Sequence, residues 1–138
     1  NLLSYTLWNY TADNSNARGD MWNDEDLSIF SRDQQDELVN IHSGGRALQA
    51  IVRPYALATA GEPLRMSFDI RSRVFEFVFR HDPKVTEPSL IFVPDYQYPK
   101  GYRVEVSDGS YEMRSEEQIL AYRHSTEQET HVIRVKPM

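Results

Sequence analysis

The chain has 138 residues, a net charge of −6 and no cysteine. This length is enough to bury a hydrophobic core, and the negative charge argues against nucleic acid as a partner because phosphate binding needs a basic surface. The lack of cysteine excludes disulfides and thiolate chemistry and favours an intracellular compartment, although the localisation is otherwise unknown.

The first third of the chain predicts a strand, a long loop and a short helix. Residues Leu2 to Asn9 mix Leu, Tyr, Thr and Trp without a helical period, which predicts a buried strand. Because the chain starts with this pattern and without Met, we expect a fragment of a longer protein. Residues Tyr10 to Asp26 have the composition of a loop, and the carboxylates at its end predict a helical turn over Leu27 to Phe30. The segment "RALQAIV" predicts a short helix that stops before Pro54.

From residue 57 onward the pattern predicts an antiparallel β-sandwich. Apolar and polar residues alternate, and the phase of the alternation changes around Arg71 to Arg73, which indicates two strands joined by a tight turn. Four further short strands follow, separated by turn residues. The predicted strands lie within 63–70, 74–82, 89–94, 102–106, 118–124 and 130–135. Residues 1–56 alone bury too little to form a domain, so we expect them to complete a larger structure.

The passage around the two tryptophans carries a family resemblance. Its motifs are Leu7-Trp8-Asn9-Tyr10, Asp13-Asn14, Gly19-Asp20, Trp22-Asn23 and Glu25-Asp26-Leu27-Ser28, and "VRPYALATAG" follows at 52–61. The chain resembles the C-terminal part of a family 5 glycoside hydrolase of the endoglycoceramidase-like, fungal glucosylceramidase and steryl-β-glucosidase branch. The resemblance implies a mainly β chain, in which residues 1–56 are the last strand, active-site loop and closing helix of a (β/α)8 barrel and residues 57–138 are an appended β-sandwich.

The resemblance also implies a function, the hydrolysis of a lipid-linked glucoside, either glucosylceramide or a steryl glucoside, by a retaining β-glucosidase. Such an enzyme needs two carboxyl groups about 5–5.5 Å apart, and in this family they are glutamates that would lie upstream of Asn1. We therefore assign no catalytic residue, no metal and no cofactor here. Glu25 and Asp26 do not suit the roles, because adjacent loop residues cannot flank a sugar. The implied partners are the upstream barrel and the glycolipid, and a membrane surface is a further candidate.

The substrate-binding candidates are Trp8, Asn9, Asp13, Asn14 and Trp22. By resemblance, Trp8 forms the floor of the −1 subsite, where an aromatic ring contacts the C–H face of a sugar; the alternative is packing in the barrel core. Trp22 either lines the aglycone side or anchors its own loop. The Asn and Asp side chains either bind sugar hydroxyls or hold turns together.

Three further interpretations concern the sandwich and the histidines. As an alternative function, it could be a non-catalytic carbohydrate- or lipid-binding module instead of a structural buttress. The four histidines lack the spacing of metal ligands, which favours structural or surface roles. The alternating Phe75, Phe77 and Phe79 have the spacing of a sandwich core.

Overall fold

The computed structural model describes residues 2–138. The chain forms two compact units, residues 3–51 and residues 52–138 together with Leu2. The prediction of a mainly β chain with an antiparallel sandwich is confirmed, because eight strands form two four-stranded antiparallel sheets. Among the described residues, no helix has the length and apolar character required to cross a membrane. The division at 56/57 into a barrel part and a sandwich stays a prediction.

The first unit is built almost wholly of turns and loops. A 3-10 helix covers Arg32–Gln34 and helix α1 covers Leu48–Ile51, which is shorter than the helix predicted from "RALQAIV". The structure forms no strand over residues 2–9. A β-strand needs a neighbour for its backbone hydrogen bonds, and only Asn9 finds such partners in the described chain, with its N–H 3.2 Å from the Leu27 oxygen and its own oxygen 2.8 Å from the Ile29 N–H.

The helical turn predicted over residues 27–30 is wrong for a related reason. Leu27 donates its N–H to the Asp20 carboxylate, while Leu27 and Ile29 pair with Asn9. Phe30 then forms an antiparallel bridge with Gly45. These long-range contacts use the backbone groups that a helical turn would have to pair locally, so the segment follows an irregular path.

The second unit is the sandwich. Its strands are β1 (Tyr55–Ala58), β2 (Gly61–Asp69), β3 (Val74–His81), β4 (Ser89–Phe92), β5 (Tyr102–Val106), β6 (Ser110–Arg114), β7 (Ile119–Arg123) and β8 (Thr130–Pro137), with a 3-10 helix at Ser115–Glu117. One sheet has the order β1-β4-β7-β6 and the other β2-β3-β8-β5. The six predicted strands are confirmed. The sequence missed β1 and β6, the two edge strands of the first sheet.

The core of the sandwich follows from period-2 alternation along its strands. Phe75, Phe77 and Phe79 are 0% exposed, as predicted for core residues. They pack with Ile91, Leu120 and other buried side chains of both sheets. In β2, Met66 and Phe68 lie opposite Phe77 and Phe75, so the partly buried residues of this strand extend the same core.

Three of the four histidines are close together in this unit, although the sequence suggested that they are scattered. His131 is fully buried; its Nδ1 lies 2.7 Å from Oδ2 of Asp108 and its Nε2 lies 3.0 Å from Nδ1 of His81. The ring of His124 stacks on that of His81 with 4.7 Å between centroids. Within residues 2–138 no group of His, Cys, Asp or Glu has the arrangement of a metal site. We call this group of three histidines and Asp108 the histidine cluster.

The charges of the histidine cluster are set by its surroundings. Burial alone would raise the pKa of the Asp108 carboxyl, but hydrogen bonds from the Ser125 N–H and from His131 and Ser107 hold that pKa well below its ordinary value. The pKa of His124 is lowered by burial and then by the neighbouring His131 and His81. The cluster therefore combines an anionic carboxylate with a ring that resists protonation.

Candidate functional site

The loop between the two tryptophans is organised by the carboxylate of Asp20. This side chain is 7% exposed. Its Oδ2 accepts hydrogen bonds from the Asn9 side-chain amide (3.1 Å) and the Leu27 N–H (3.2 Å), and its Oδ1 accepts one from the Trp22 N–H (3.0 Å). A carboxylate accepts several bonds at once, so Asp20 links the residue after Trp8 to the backbone of Trp22. The preceding Gly19 has φ +63°, a left-handed conformation that glycine adopts without strain.

Asn14 holds the middle of the loop in a similar way. It is 1% exposed, and its amide nitrogen donates to the Phe30 oxygen at 2.8 Å. Its backbone N–H donates to the Thr11 oxygen, and its backbone oxygen accepts from the Arg32 N–H. The residue thereby joins the start of the loop to its end. Such side-chain to backbone bonds are the usual role of Asn in loops.

The far end of the loop is fixed by Ser28 and by an ion pair. The Ser28 hydroxyl accepts hydrogen bonds from the Thr11 N–H (3.0 Å) and the Phe30 N–H (3.2 Å). Arg46 binds both carboxylate oxygens of Asp26 at 2.6 Å, the bidentate geometry that planar guanidinium favours. The hydrogen bond from Arg46 lowers the pKa of the Asp26 carboxyl, so this residue stays anionic and does not suit the role of a general acid.

Both tryptophan rings project from this rigid loop into solvent. Trp8 is 66% exposed and Trp22 is 57% exposed. The peptide bond between Trp8 and Asn9 is cis, and Tyr10 beside it packs its ring against Phe30 with 5.7 Å between centroids. The backbone next to each tryptophan is held by the contacts of Asn9 and Asp20, whereas the two ring-bearing residues are mostly exposed in this chain.

The predicted site residues are thus in three situations. Trp8 and Trp22 present exposed rings, whereas Asn9 and Asn14 use their side-chain amides inside the loop. Asp13 lies apart from the Asp20 contacts, since it is exposed and paired with Arg18 at 3.2 Å. Asp20 belongs to the Asn and Asp residues of the motif that could either bind sugar hydroxyls or hold the loop, and its hydrogen bonds lie inside the loop.

Comparisons with known proteins identify the family of the chain. Residues 53–136 match the family described as glycoside hydrolase family 5 C-terminal domain. A glucosylceramidase of Rhizopus delemar is 35% identical over an alignment that covers 90% of this chain and 20% of that protein. An ergosteryl-beta-glucosidase of Saccharomyces cerevisiae is 26% identical, covering 88% of this chain and 23% of that protein.

Solved structures give the same result. Sterylglucosidase 1 of Cryptococcus neoformans superimposes with a TM-score of 0.87 and 30% identity over 98% of this chain and 21% of that one. Endo-glycoceramidase II from Rhodococcus sp., at 19% identity and a TM-score of 0.63 over 81% of this chain and 23% of that one, supports the fold. The chain spans about a fifth of the length of the first relatives that it matches. It belongs to glycoside hydrolase family 5, and residues 53–136 are the C-terminal domain of that family.

Proposed function

We propose that this chain is the C-terminal part of a retaining β-glucosidase that hydrolyses a lipid-linked glucoside, glucosylceramide or a steryl glucoside. The relatives are a glucosylceramidase and an ergosteryl-beta-glucosidase, and these names share a glucose linked to a lipid alcohol. In this proposal residues 1–56 complete a catalytic (β/α)8 barrel, whose acid/base and nucleophile glutamates lie outside the chain. The sandwich acts as a structural buttress.

The observation that carries the proposal is the firmly held backbone beside Trp8, where Asn9 is bonded to Asp20, Leu27 and Ile29, at the place in the motif where the resemblance expects a −1 subsite ring. The flat face of the ring fits the C–H face of a glucose unit, and its N–H can donate a hydrogen bond. Because the neighbouring backbone is fixed, the ring orients the sugar for attack at its anomeric carbon without a further loss of conformational freedom. This is a positioning role in the −1 subsite.

The other candidate residues take different roles in the proposal. Trp22 lines the aglycone side of the site, where a ceramide or sterol needs an apolar surface. Asn9 and Asn14 hold the loop in shape, an assignment supported by the partners of their amide groups. Substrate contact by Asp13 stays a prediction, since its ion pair with Arg18 is exposed and costs little to open.

Replacement of Trp8 tests the proposal in the polypeptide that contains both barrel and sandwich. We expect Trp8→Ala to lower kcat on the glycolipid by about 100-fold, the scale of a misplaced substrate, while the melting temperature stays close to that of the parent because in the proposal the ring faces the substrate and not the barrel core. Tyr111→Ala, at a 43% exposed aromatic residue of the sandwich, is the matched control and should retain full turnover. Unchanged glycolipid turnover in Trp8→Ala would overturn the subsite assignment.

A further inference from the structure

The histidine cluster lies at one end of the sandwich, where the two sheets meet. His81 and His131 belong to β3 and β8 of one sheet, whereas His124 follows β7 of the other. Asp108 lies in the turn between β5 and β6, which passes from one sheet to the other. The hydrogen bonds and ring contacts of the cluster are therefore made within the sandwich unit, residues 52–138.

The hydrogen bonds of the cluster determine how many protons it holds. Because a carboxylate only accepts hydrogen bonds, Nδ1 of His131 donates to Asp108. A neutral imidazole has one N–H, so Nε2 of neutral His131 accepts a hydrogen bond from Nδ1 of His81. When His131 gains a proton at Nε2, the direction of this bond reverses and His81 accepts. One added proton is therefore held without the loss of a hydrogen bond.

A second added proton cannot be held in the same way. With both rings charged, Nε2 of His131 and Nδ1 of His81 each carry a hydrogen, and the two N–H groups face each other across 3.0 Å. His124 is a poor alternative, since its ring stacks on that of His81 and its Nδ1 is buried without a hydrogen-bond partner among residues 2–138. Like charges this close disfavour the charged forms. The closed cluster therefore excludes the second proton.

The surroundings of the cluster do not offset a second positive charge. Asp108 supplies the carboxylate that contacts the rings. Tyr122 of β7 donates its hydroxyl to the Asp108 backbone oxygen at 3.2 Å, and burial raises the pKa of this phenol, so it stays neutral. The charged residues that adjoin the cluster along the chain and on β2 have exposed side chains, whose charges water screens. They are Glu62, Arg80, Asp82, Arg123, Glu127 and Glu129.

We propose that the histidine cluster is an acid-sensitive switch that opens this end of the sandwich when a second proton binds. The turn between β5 and β6 is the part that moves. Hydrogen bonds of the Asp108 side chain to Ser125 and Gln128 join this turn to the connection between β7 and β8, and no strand pairing joins β5 to β7. Opening brings water to the charged rings while both sheets stay paired. The switch belongs to the sandwich and does not depend on the proposed glucosidase function.

The pH range of the switch follows from the ordinary behaviour of an imidazole in water. In the open form a released histidine has the ordinary pKa of about 6.5, so a fall from pH 7.5 to 5 favours the open form by about 30-fold for each proton that the closed form excludes. The closed form is thus stable above the ordinary histidine pKa and loses stability as the pH falls below it. Burial and then His131 and His81 lower the pKa of His124, which contributes with the same sign.

Hydrogen–deuterium exchange in the polypeptide that contains both barrel and sandwich tests the switch. The Ser125 N–H donates to Oδ1 of Asp108 at 2.7 Å, so its protection, corrected for the intrinsic pH dependence of exchange, reports the closed form. We expect this protection to fall by about 30-fold between pH 7.5 and 5 in the parent. The paired strand segments at Phe75 and Val135, toward the other end of the sheet, should keep their protection.

Three variants separate the switch from general acid sensitivity. His81→Gln keeps a side chain that can bond to His131 but binds no proton, so its loss of protection should be about threefold or less. His42→Gln, the same change at a histidine outside the cluster, is the matched control and should behave as the parent. Asp108→Asn removes the negative charge that holds the first proton, so its protection should begin to fall at a higher pH than in the parent.

Several results would overturn the proposal. The same loss of protection in His81→Gln as in the parent would show that the cluster does not sense the pH. Equal losses at Ser125 and at the Phe75 and Val135 segments would show that the whole sandwich unfolds instead of opening at one end. If far-UV circular dichroism shows that His81→Gln is unfolded at pH 7.5, Asp108→Asn decides the question, and a loss that begins at the pH of the parent would then overturn the switch.

Discussion

Replacing Asp20 by alanine removes the one carboxylate that joins the surroundings of both tryptophans. The side chain is 7% exposed and accepts hydrogen bonds from the Asn9 amide and from the backbone N–H groups of Trp22 and Leu27. In Asp20→Ala these donors lose their partner in a place that water reaches poorly. Hydrogen bonds to a charged group contribute about 1.5–3 kcal/mol each, but they are not additive when one side chain is deleted. We expect a loss of about 3 kcal/mol in the free energy of unfolding of residues 3–51.

The assay follows from the N–H groups that donate to Asp20. Deuterium exchange of the Trp22 and Leu27 amide hydrogens reports the stability of the loop unit, whereas far-UV circular dichroism reports mainly the strands of the sandwich. Asp20→Ala should speed this exchange and leave the circular dichroism of the sandwich in place.

Two control variants test whether the loss is specific to the carboxylate of Asp20. Asp13→Ala removes a carboxylate that is 52% exposed and paired with Arg18, and exposed ion pairs contribute at most about 1 kcal/mol. Asp20→Asn keeps one acceptor oxygen and should recover part of the loss. If Asp20→Ala and Asp13→Ala gave equal exchange rates for the Trp22 and Leu27 amide hydrogens, the reasoning that Asp20 organises the loop would be refuted.

Two further predictions concern the sandwich. Phe77→Ala should lower the free energy of unfolding of the sandwich by about 3–5 kcal/mol, since removal of a fully buried ring leaves a cavity. Phe77→Leu should lower it clearly less. A loss of less than about 1 kcal/mol for Phe77→Ala in urea unfolding would contradict this packing. The second prediction is a pH dependence. Burial and then the neighbouring His131 and His81 lower the pKa of His124 in the folded state, so the unfolded chain binds a proton at this residue more readily. The contribution of neutral His124 to the free energy of unfolding is therefore present above the ordinary histidine pKa of about 6.5 and is lost as the pH falls below it. Melting temperatures at pH 7.5 and 5 should therefore differ less in His124→Gln than in the parent; equal differences would contradict the assignment.

The sandwich is largely predictable because its signal is local. Side chains alternate along each strand, so "VFEFVF" alone predicts that Phe75, Phe77 and Phe79 share a buried face. The two strands that the sequence missed, β1 and β6, are edge strands whose identity depends on pairing with β4 and β7. In β6 the sequence Ser-Tyr-Glu-Met-Arg does alternate, but only over five residues directly after a turn, and its apolar residues Tyr111 and Met113 are 43% and 41% exposed. Pairing between distant segments does not show in a local pattern.

The histidine cluster could not be predicted for a similar reason. His81 and His131 are joined by a hydrogen bond although they lie 50 positions apart, and Asp108 belongs to the turn between β5 and β6. A search for ligands at helical spacing cannot find residues that only the strand arrangement brings together. The sequence shows which residue types are present, but only the strand topology brings these side chains into contact.

In the loop unit, too, contacts between distant segments could not be predicted from the sequence, and this affects the choice of functional residues. Its acidic and amide residues are the natural candidates for chemistry or sugar binding, yet Asp20, Asn14 and Ser28 use their hydrogen-bonding groups on segments 7 to 17 positions away. With these polar groups engaged inside the loop, the proposed function assigns contact with the substrate mainly to the rings of Trp8 and Trp22. Under that proposal, a change in the hydrogen-bonded loop should act on the substrate through the position of these two rings.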